Sequence, residues 1–544
     1  MQPSAVRRAL WAGALLAAVA APATLTNAAA DEQDVCTFDA PAGGEWSTMS
    51  GDLEGTRNQP AETTIGPANA GDLVVDWKTK VSTGGVGSIH STPTVVGSCV
   101  FVASNVGGPQ GDTGLRVTAL DVATGAVVWA TDYPLRPGAA AGLGGPAVSA
   151  VVVHDGLAFT LVNEAATQGV PGSGPYAVAM DASNGAKEWE SAPFDTFPTS
   201  YTNSSPVVVP SEGGPVLFAG WSPPEGNSLG QGGFVLLEPT TGAVVEKTYT
   251  IPPDDQADLD GDGLPDNAGG GIWAPVSYDT TTGYGYIGAG NTFSKTTEHP
   301  HTNSILKIDL GDRASETFGE IVGAAKGTID QYHDGLEFLR ETQACDASDL
   351  EGFAWPLDDP VCGQLDLDYG APVNVFSLPD GRRVVGGLQK SGVVFLFDAT
   401  TLERLWSSEV GLPCAPCNAA ATAVDPDVGI AGVSAPGGTA FLLDAMTGEL
   451  RWAVPIGDGA HYNGVSLANG VFYGTDNFGT LSVIDATTGV PITRRPTALD
   501  VGAPTASFSS AGIAIAANTV FAALSSGAPP AQDGWIVAYR LPDA

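Results

Sequence analysis

Basic side chains are scarce in this 544-residue chain: 22 lysines and arginines stand against 60 aspartates and glutamates, a formal charge of -38. A surface so acidic repels phosphates, which argues against a nucleic-acid partner. Long apolar runs are also lacking. The longest, Ala9 to Ala21, counts 13 residues, where a helix needs roughly 20 to cross a bilayer, so no membrane span is expected. The sequence has no G-x-S-x-G, no H-E-x-x-H and no Walker loop, which leaves a hydrolase or a P-loop enzyme without its machinery. Gly142-Leu-Gly144-Gly-Pro-Ala147 imitates a nucleotide fingerprint but lacks the strand and helix that would give it meaning. Cys414-Ala-Pro-Cys417 is followed by Asn418 rather than histidine, so no c-type haem is encoded.

What is present begins with a targeting segment. Arg7 and Arg8, the apolar run, Pro22 and the small residues up to Ala28-Ala29-Ala30 order themselves as a secretory signal peptide over residues 1–30. Export would bring six cysteines into an oxidising compartment, where disulfides are the first expectation. Fifteen pairings are open; the nearest in sequence, Cys345 with Cys362 and Cys414 with Cys417, would leave Cys36 with Cys99.

One pattern organises the rest: an apolar strand, an Asp-x-x-Thr-Gly turn, and a second strand that reaches a tryptophan. It recurs at Asp121, Asp181, Glu238, Asp309, Asp398, Asp444 and Asp485, and Trp129, Trp189, Trp406 and Trp452 each fall eight residues after their acid. The aspartate and threonine can accept from and donate to turn amides, and glycine supplies a positive φ. The spacing between acids, 41 to 89 residues, suits a four-stranded sheet with loops. Such sheets bury both faces by stacking around an axis. The C-terminal strand Gly534 to Tyr539 gives an eighth unit, and Asp72 to Val81, with Trp77, can pair with it to close the ring. The expectation is all-β: a lead-in over residues 31–71 and an eight-bladed β-propeller over 72–544.

Two stretches carry chemistry. Asp258, Asp260, Asp262 and Asp266, with Gly263, have the ligand spacing of a calcium loop, although Gly269 stands where the bidentate glutamate belongs. After it come Gly269-Gly-Gly-Ile-Trp273, Tyr278-Asp279 and Gly290-Asn291, then Asp368-Tyr-Gly-Ala-Pro372 and Gln389-Lys390-Ser-Gly392.

In order and type these segments resemble the pyrroloquinoline quinone (PQQ) dependent alcohol dehydrogenases, and most closely their polyvinyl alcohol dehydrogenase-like branch. Trp46 with Gly51-Asp-Leu-Glu-Gly-Thr-Arg57-Asn58 is similar too, so the resemblance spans most of residues 46 to 541. It implies PQQ and Ca2+ as cofactors, with Trp273 flat against the quinone, Asn291, Glu225 and Asp309 as ligands of the active-site calcium, Asp309 also as general base, and Lys390 at the quinone oxygen. Calcium would act as a Lewis acid while hydride passes from an alcohol substrate to the quinone, and an external electron acceptor would reoxidise it. Lanthanide-using relatives carry a second aspartate two residues after the base, a place that Gly311 fills here. Secreted oxidation of secondary or polymeric alcohols is the resulting expectation. The rival is a cofactor-free propeller serving as a binding or assembly scaffold, since fold alone does not choose. Asp309 also sits where other copies hold a turn aspartate with no catalytic duty. The wide interval from Asp309 to Asp398, containing Cys345 and Cys362, reads as a disulfide-tied insertion near the mouth of the site.

Overall fold

The computed structural model describes residues 35–83, 89–108, 111–223, 230–255, 268–293, 299–328, 367–413, 418–434, 437–457, 463–507, 512–526 and 532–542. The chain divides into Met1–Val35 and Cys36–Ala544, and the propeller belongs to the second unit. The signal-peptide expectation lies outside the described residues. Among those described, no helix is long and apolar enough to cross a membrane.

Eight antiparallel sheets follow one another along the chain. Blade 1 runs from its inner strand Thr94–Val96 through Cys99–Gly108 and Gly111–Asp121 to its outer strand Val127–Pro134. Blades 2 to 7 repeat this, with inner strands Val152–His154, Val207–Val209, Ser277–Tyr278, Asn374–Ser377, Ala423–Asp425 and Ser466–Ala468. Blade 8 takes its outer strand, Val74–Thr83, from the other end of the chain: Trp77 lies opposite Ala538 of Asp533–Arg540, closing the ring as expected. Neighbouring blades cover the second and third strands on both sides, which is why these read as unbroken apolar runs, for example the fully buried Val216–Trp221 and Gly233–Leu237. The outer strands face water on one side and alternate, as Val127–Pro134 does.

A ring of hydrogen bonds joins the blades at the hub. In order, Thr94 Oγ1 donates to Val151 O, Ala150 N to Ser205 Oγ, Ser204 Oγ to Ala274 O, Ser277 Oγ to Val373 O and Asn374 Nδ2 to Thr422 O. Val465 N to Ala421 O, Ser466 Oγ to Ile513 O and Gly512 N to Thr92 Oγ1 complete the circle. At the rim, the repeated tryptophans dock each blade on the next: Trp77, Trp129, Trp189, Trp406 and Trp452 donate their indole N–H to the carbonyls of Val122, Ala182, Pro239, Ala445 and Ala486. Each acceptor directly follows the turn acid, and the turn glycine lies under the indole; a Cβ on Gly185 would sit 2.6 Å from Trp129.

The lead-in is woven into the hub. Trp46 exchanges backbone bonds with Val95 of blade 1, while Leu53, Glu54, Thr56 and Arg57 accept at their carbonyls from Tyr278, Val375, Val424 and Leu467 of blades 4 to 7. Arg57, 1% exposed, stacks on Trp46 and donates to the carbonyls of Val465 and Met49 and to Ser466 Oγ. Burial pushes its guanidinium down to about 9, still charged at neutrality. The disulfide Cys36–Cys99 ties the start of this segment to blade 1, and it is the pairing that remains once the cysteines nearest in sequence are matched. The other four cysteines lie in segments outside the described residues.

Candidate active site

Strand direction sorts the connections onto two faces. The acidic turns, which join third to outer strands, lie on one, the turn face. Links from second to third strands and links from blade to blade lie on the other, the loop face.

Trp273, Asn291 and Lys390 all belong to the loop face. Trp273 is on the link between blades 3 and 4, Asn291 follows the second strand of blade 4, Tyr284–Gly288, and Lys390 is in the turn between Arg383–Leu388 and Val393–Asp398 of blade 5. Close backbone approach explains the glycines around them. Gly270 N donates to Asn291 O and Gly290 N to Gly271 O, and a Cβ on Gly269 would lie 2.3 Å from Asn291 O. Gly269 and Gly270 also hold positive φ, +103° and +67°.

Lys390 is 6% exposed; its ammonium lies 2.7 Å from Asp368 Oδ1 and 5.8 Å from the centre of the Trp273 ring. Asp368 is fully buried on the link into blade 5, and its carbonyl accepts from Lys390 N. Its Oδ2 is 3.3 Å from where a Cβ of Gly290 would stand, so the carboxylate abuts the Asn291 segment. Tyr201 meets the Trp273 ring edge-on at 5.6 Å, fixing its plane. Sequence reasoning placed Asp368 in a family-like segment without giving it a role, and it missed Tyr201. The available signal for Asp368 was that Gly-Ala-Pro follows it, leading into an inner strand, where no turn threonine and glycine follow.

Asp309 does not join this group. It pairs with Tyr284, at the opposite end of the strand from Gly288, about 13 Å away along the strand and on the turn face. Its carboxylate accepts from the hydroxyls of Ser315 and Thr317 and from Gly311 N–H. Burial pushes its pKa up, but these donors outweigh burial and hold it below the usual carboxylate range. Gly319 N donates to Asp309 O as Gly125 N does to Asp121 O: Asp309 is the turn acid of its blade with a longer turn. The expectation of a base at this position is corrected accordingly, and Gly311 no longer bears on the choice of ion.

Glu225, Asp258, Asp260, Asp262 and Asp266 lie outside the described residues, as does the Cys345–Cys362 segment. The described residues flanking that segment, Thr328 and Leu367, are on the loop face. Among the described residues, no group of three or more His, Cys, Asp or Glu could hold a metal ion. The donors at hand are the Asn291 carboxamide and the Asp368 carboxylate, hard oxygens of the kind divalent ions take, beside an aromatic plate and a buried cation. That set fits a flat, anionic quinone held by a metal.

Residues 31–248 match a family profile described as outer membrane protein assembly factor BamB. A protein of Paracoccus denitrificans named as a putative dehydrogenase, XoxF, is 24% identical over 526 residues, covering 82% of each chain. Among solved structures, a europium-containing methanol dehydrogenase superposes with TM-score 0.66 at 14% identity, over 92% of this chain and 98% of its own. The quinohemoprotein alcohol dehydrogenase ADHIIG of Pseudomonas putida HK5 gives 0.64 at 17%, over 92% and 83%. The fold is therefore the eight-bladed propeller of quinoprotein dehydrogenases. Over most of its length the chain is thus similar in fold to these dehydrogenases and, at 24% identity, in sequence to a putative dehydrogenase.

Proposed function

We propose that this chain is a secreted PQQ-dependent alcohol dehydrogenase whose general base is Asp368. The observation that carries the reading is the buried ammonium of Lys390, 2.7 Å from Asp368 and 5.8 Å from the Trp273 ring. PQQ, when bound, supplies the acceptor for the hydride that leaves the carbinol carbon. Asp368 takes the proton of the substrate hydroxyl, and Lys390 balances the carboxylate charge that makes it a base. Trp273 offers its face to a planar ring system, with Tyr201 holding that face in place. Asn291 binds the metal ion through its carboxamide oxygen, and Glu225 serves as a further ligand. The ion is calcium on this reading: two residues beyond Asp368 stands Gly370, which has no side chain to offer as a second carboxylate. Secondary and polymeric alcohols are the proposed substrates, an external carrier the electron acceptor, and the Cys36–Cys99 disulfide agrees with an oxidising compartment.

One observation favours the scaffold reading: the assembly-factor profile matches blades 1 to 3. Purified protein mixed with PQQ and calcium separates the two, with dye reduction measured across primary, secondary and polymeric alcohols. Alcohol-dependent reduction is expected, lost in Asp368→Asn; absence of both reduction and quinone binding would leave the scaffold.

A further inference from the structure

We infer that Gln389 is a positioning residue that holds the Lys390 ammonium against Asp368. Its side chain is fully buried beside a catalytic candidate and reaches Thr328, on the link that leaves blade 4. There the amide completes a two-way exchange with one backbone residue: Thr328 N donates to Gln389 Oε1 at 2.8 Å, and Gln389 Nε2 donates to Thr328 O at 2.8 Å. This reproduces with a side chain the paired bonds of an antiparallel ladder. Ser391 Oγ adds a third bond to the same oxygen at 2.9 Å.

The neighbouring sequence is shaped around the clamp. A Cβ on Gly327 would lie 2.7 Å from both Gln389 Nε2 and the Tyr369 hydroxyl, so no other residue leaves space for the amide. Gln389 opens the tight turn that carries Lys390: Gly392 N donates to Gln389 O, with Gly392 at φ +80°. The turn is thus a short lever. Its far side is fixed by Asn418, whose amide donates to the carbonyls of Lys390 and Leu412. Its near side is held through Gln389 and through Lys390 N on Asp368 O. Removing the amide leaves two buried backbone groups of Thr328 to find new partners, and the turn can roll about its remaining attachments. A lysine with four rotatable bonds then loses the single placement that meets Asp368.

The test reads the lysine itself, on protein without quinone. Brief acetic anhydride labelling, quantified by peptide mass spectrometry, reports how accessible each amine is. Lys307 serves as internal control, because it is also buried and donates to the carbonyls of Ala399 and Thr400 far from this turn. In Gln389→Met, which keeps length and loses the amide, Lys390 should label at least about tenfold faster than in the wild type while Lys307 stays unchanged. Gln389→Glu retains the acceptor half of the clamp and should fall between. An unchanged Lys390 rate in both variants overturns the inference. So does a parallel rise at Lys307, which would assign Gln389 to holding the blades together. The inference rests on the roles given to Lys390 and Asp368, but the outcomes are separable: activity surviving Asp368→Asn would remove Asp368 as the base, and absence of both reduction and quinone binding would sink the redox reading, either one leaving the labelling contrast standing.

Discussion

The two faces of the propeller use the same strands and differ in how they were built. On the turn face one solution recurs: acid, glycine and tryptophan lock a blade to its neighbour in the same register at five junctions. On the loop face no two links do the same job; Trp273, Asn291, Asp368 and Lys390 each come from a different connection. Repetition marks what every blade needs, which is stability, and a site assembled once from four links leaves no period to detect.

The sharpest way to break this contrast is to neutralise one acid on each face. Asp368→Asn should lower alcohol-dependent dye reduction by about 10²- to 10⁴-fold, the usual worth of a general base, and cost about 3 kcal/mol of stability because the buried Lys390 ammonium loses its counter-charge. Asp309→Asn should leave activity intact and cost about 1 kcal/mol, since it weakens hydrogen bonds in a partly exposed turn. The reverse outcome would return the base to the turn face.

Next in size is Arg57→Met. The guanidinium bonds to residues of blades 7 and 8 and of its own segment, so its loss leaves several buried carbonyls unpaired and should cost about 3–5 kcal/mol in chemical denaturation. A loss below about 1 kcal/mol would mean that the lead-in merely lies on the hub.

A smaller effect tests the turn face against pH. Asp279, fully buried in its side chain, accepts from Arg383 at 2.7 Å, and Arg383 also holds Glu54 at 2.8 Å. Burial pushes the Asp279 pKa up, but Thr282, Arg383 and the Thr281 N–H together hold it below the ordinary value. A depressed carboxyl contributes stability that is present above its unfolded pKa, about 3.9, and is lost as pH falls through the folded one. Arg383→Met should therefore cost about 2 kcal/mol at neutral pH and move acid unfolding to higher pH. An unmoved acid midpoint would exclude this pair as a cause of acid unfolding.

The blades, the terminal closure and the turn acids were legible because each is a local pattern repeated. The residue types of the candidate site could be named from the sequence, whereas the face that Asp309 occupies could not, because it depends on which end of a blade the residue stands at. That difference depends on strand direction, which emerges from the whole topology. The hub role of residues 46–59 was hidden for a related reason: their partners lie up to several hundred positions away, as Arg57 with Val465 shows.

The three turn acids without a tryptophan at the eighth position carry the smallest and most specific prediction. Between blades 4 and 5, Gly323 faces Leu402, whose Cδ1 would lie 2.7 Å from a Cβ there, and Leu402 itself holds φ +61° where other turns have glycine. The carbonyl of Ala399, which an indole would otherwise take, accepts from Tyr286 Oη and Lys307 Nζ. Large and small have changed places across the junction, so the turn glycines elsewhere answer to the indole as well as to backbone angle. Gly448, at φ +75°, would put a Cβ 2.7 Å from Trp406. Gly448→Ala should then cost about 2 kcal/mol in the wild type and about 1 kcal/mol in a Trp406→Leu background, where the backbone strain and the 2.6 Å approach to Ser408 Oγ remain. If the two changes prove additive in thermal melts, the ring plays no part in selecting glycine, and the positive φ with the Ser408 hydroxyl accounts for it.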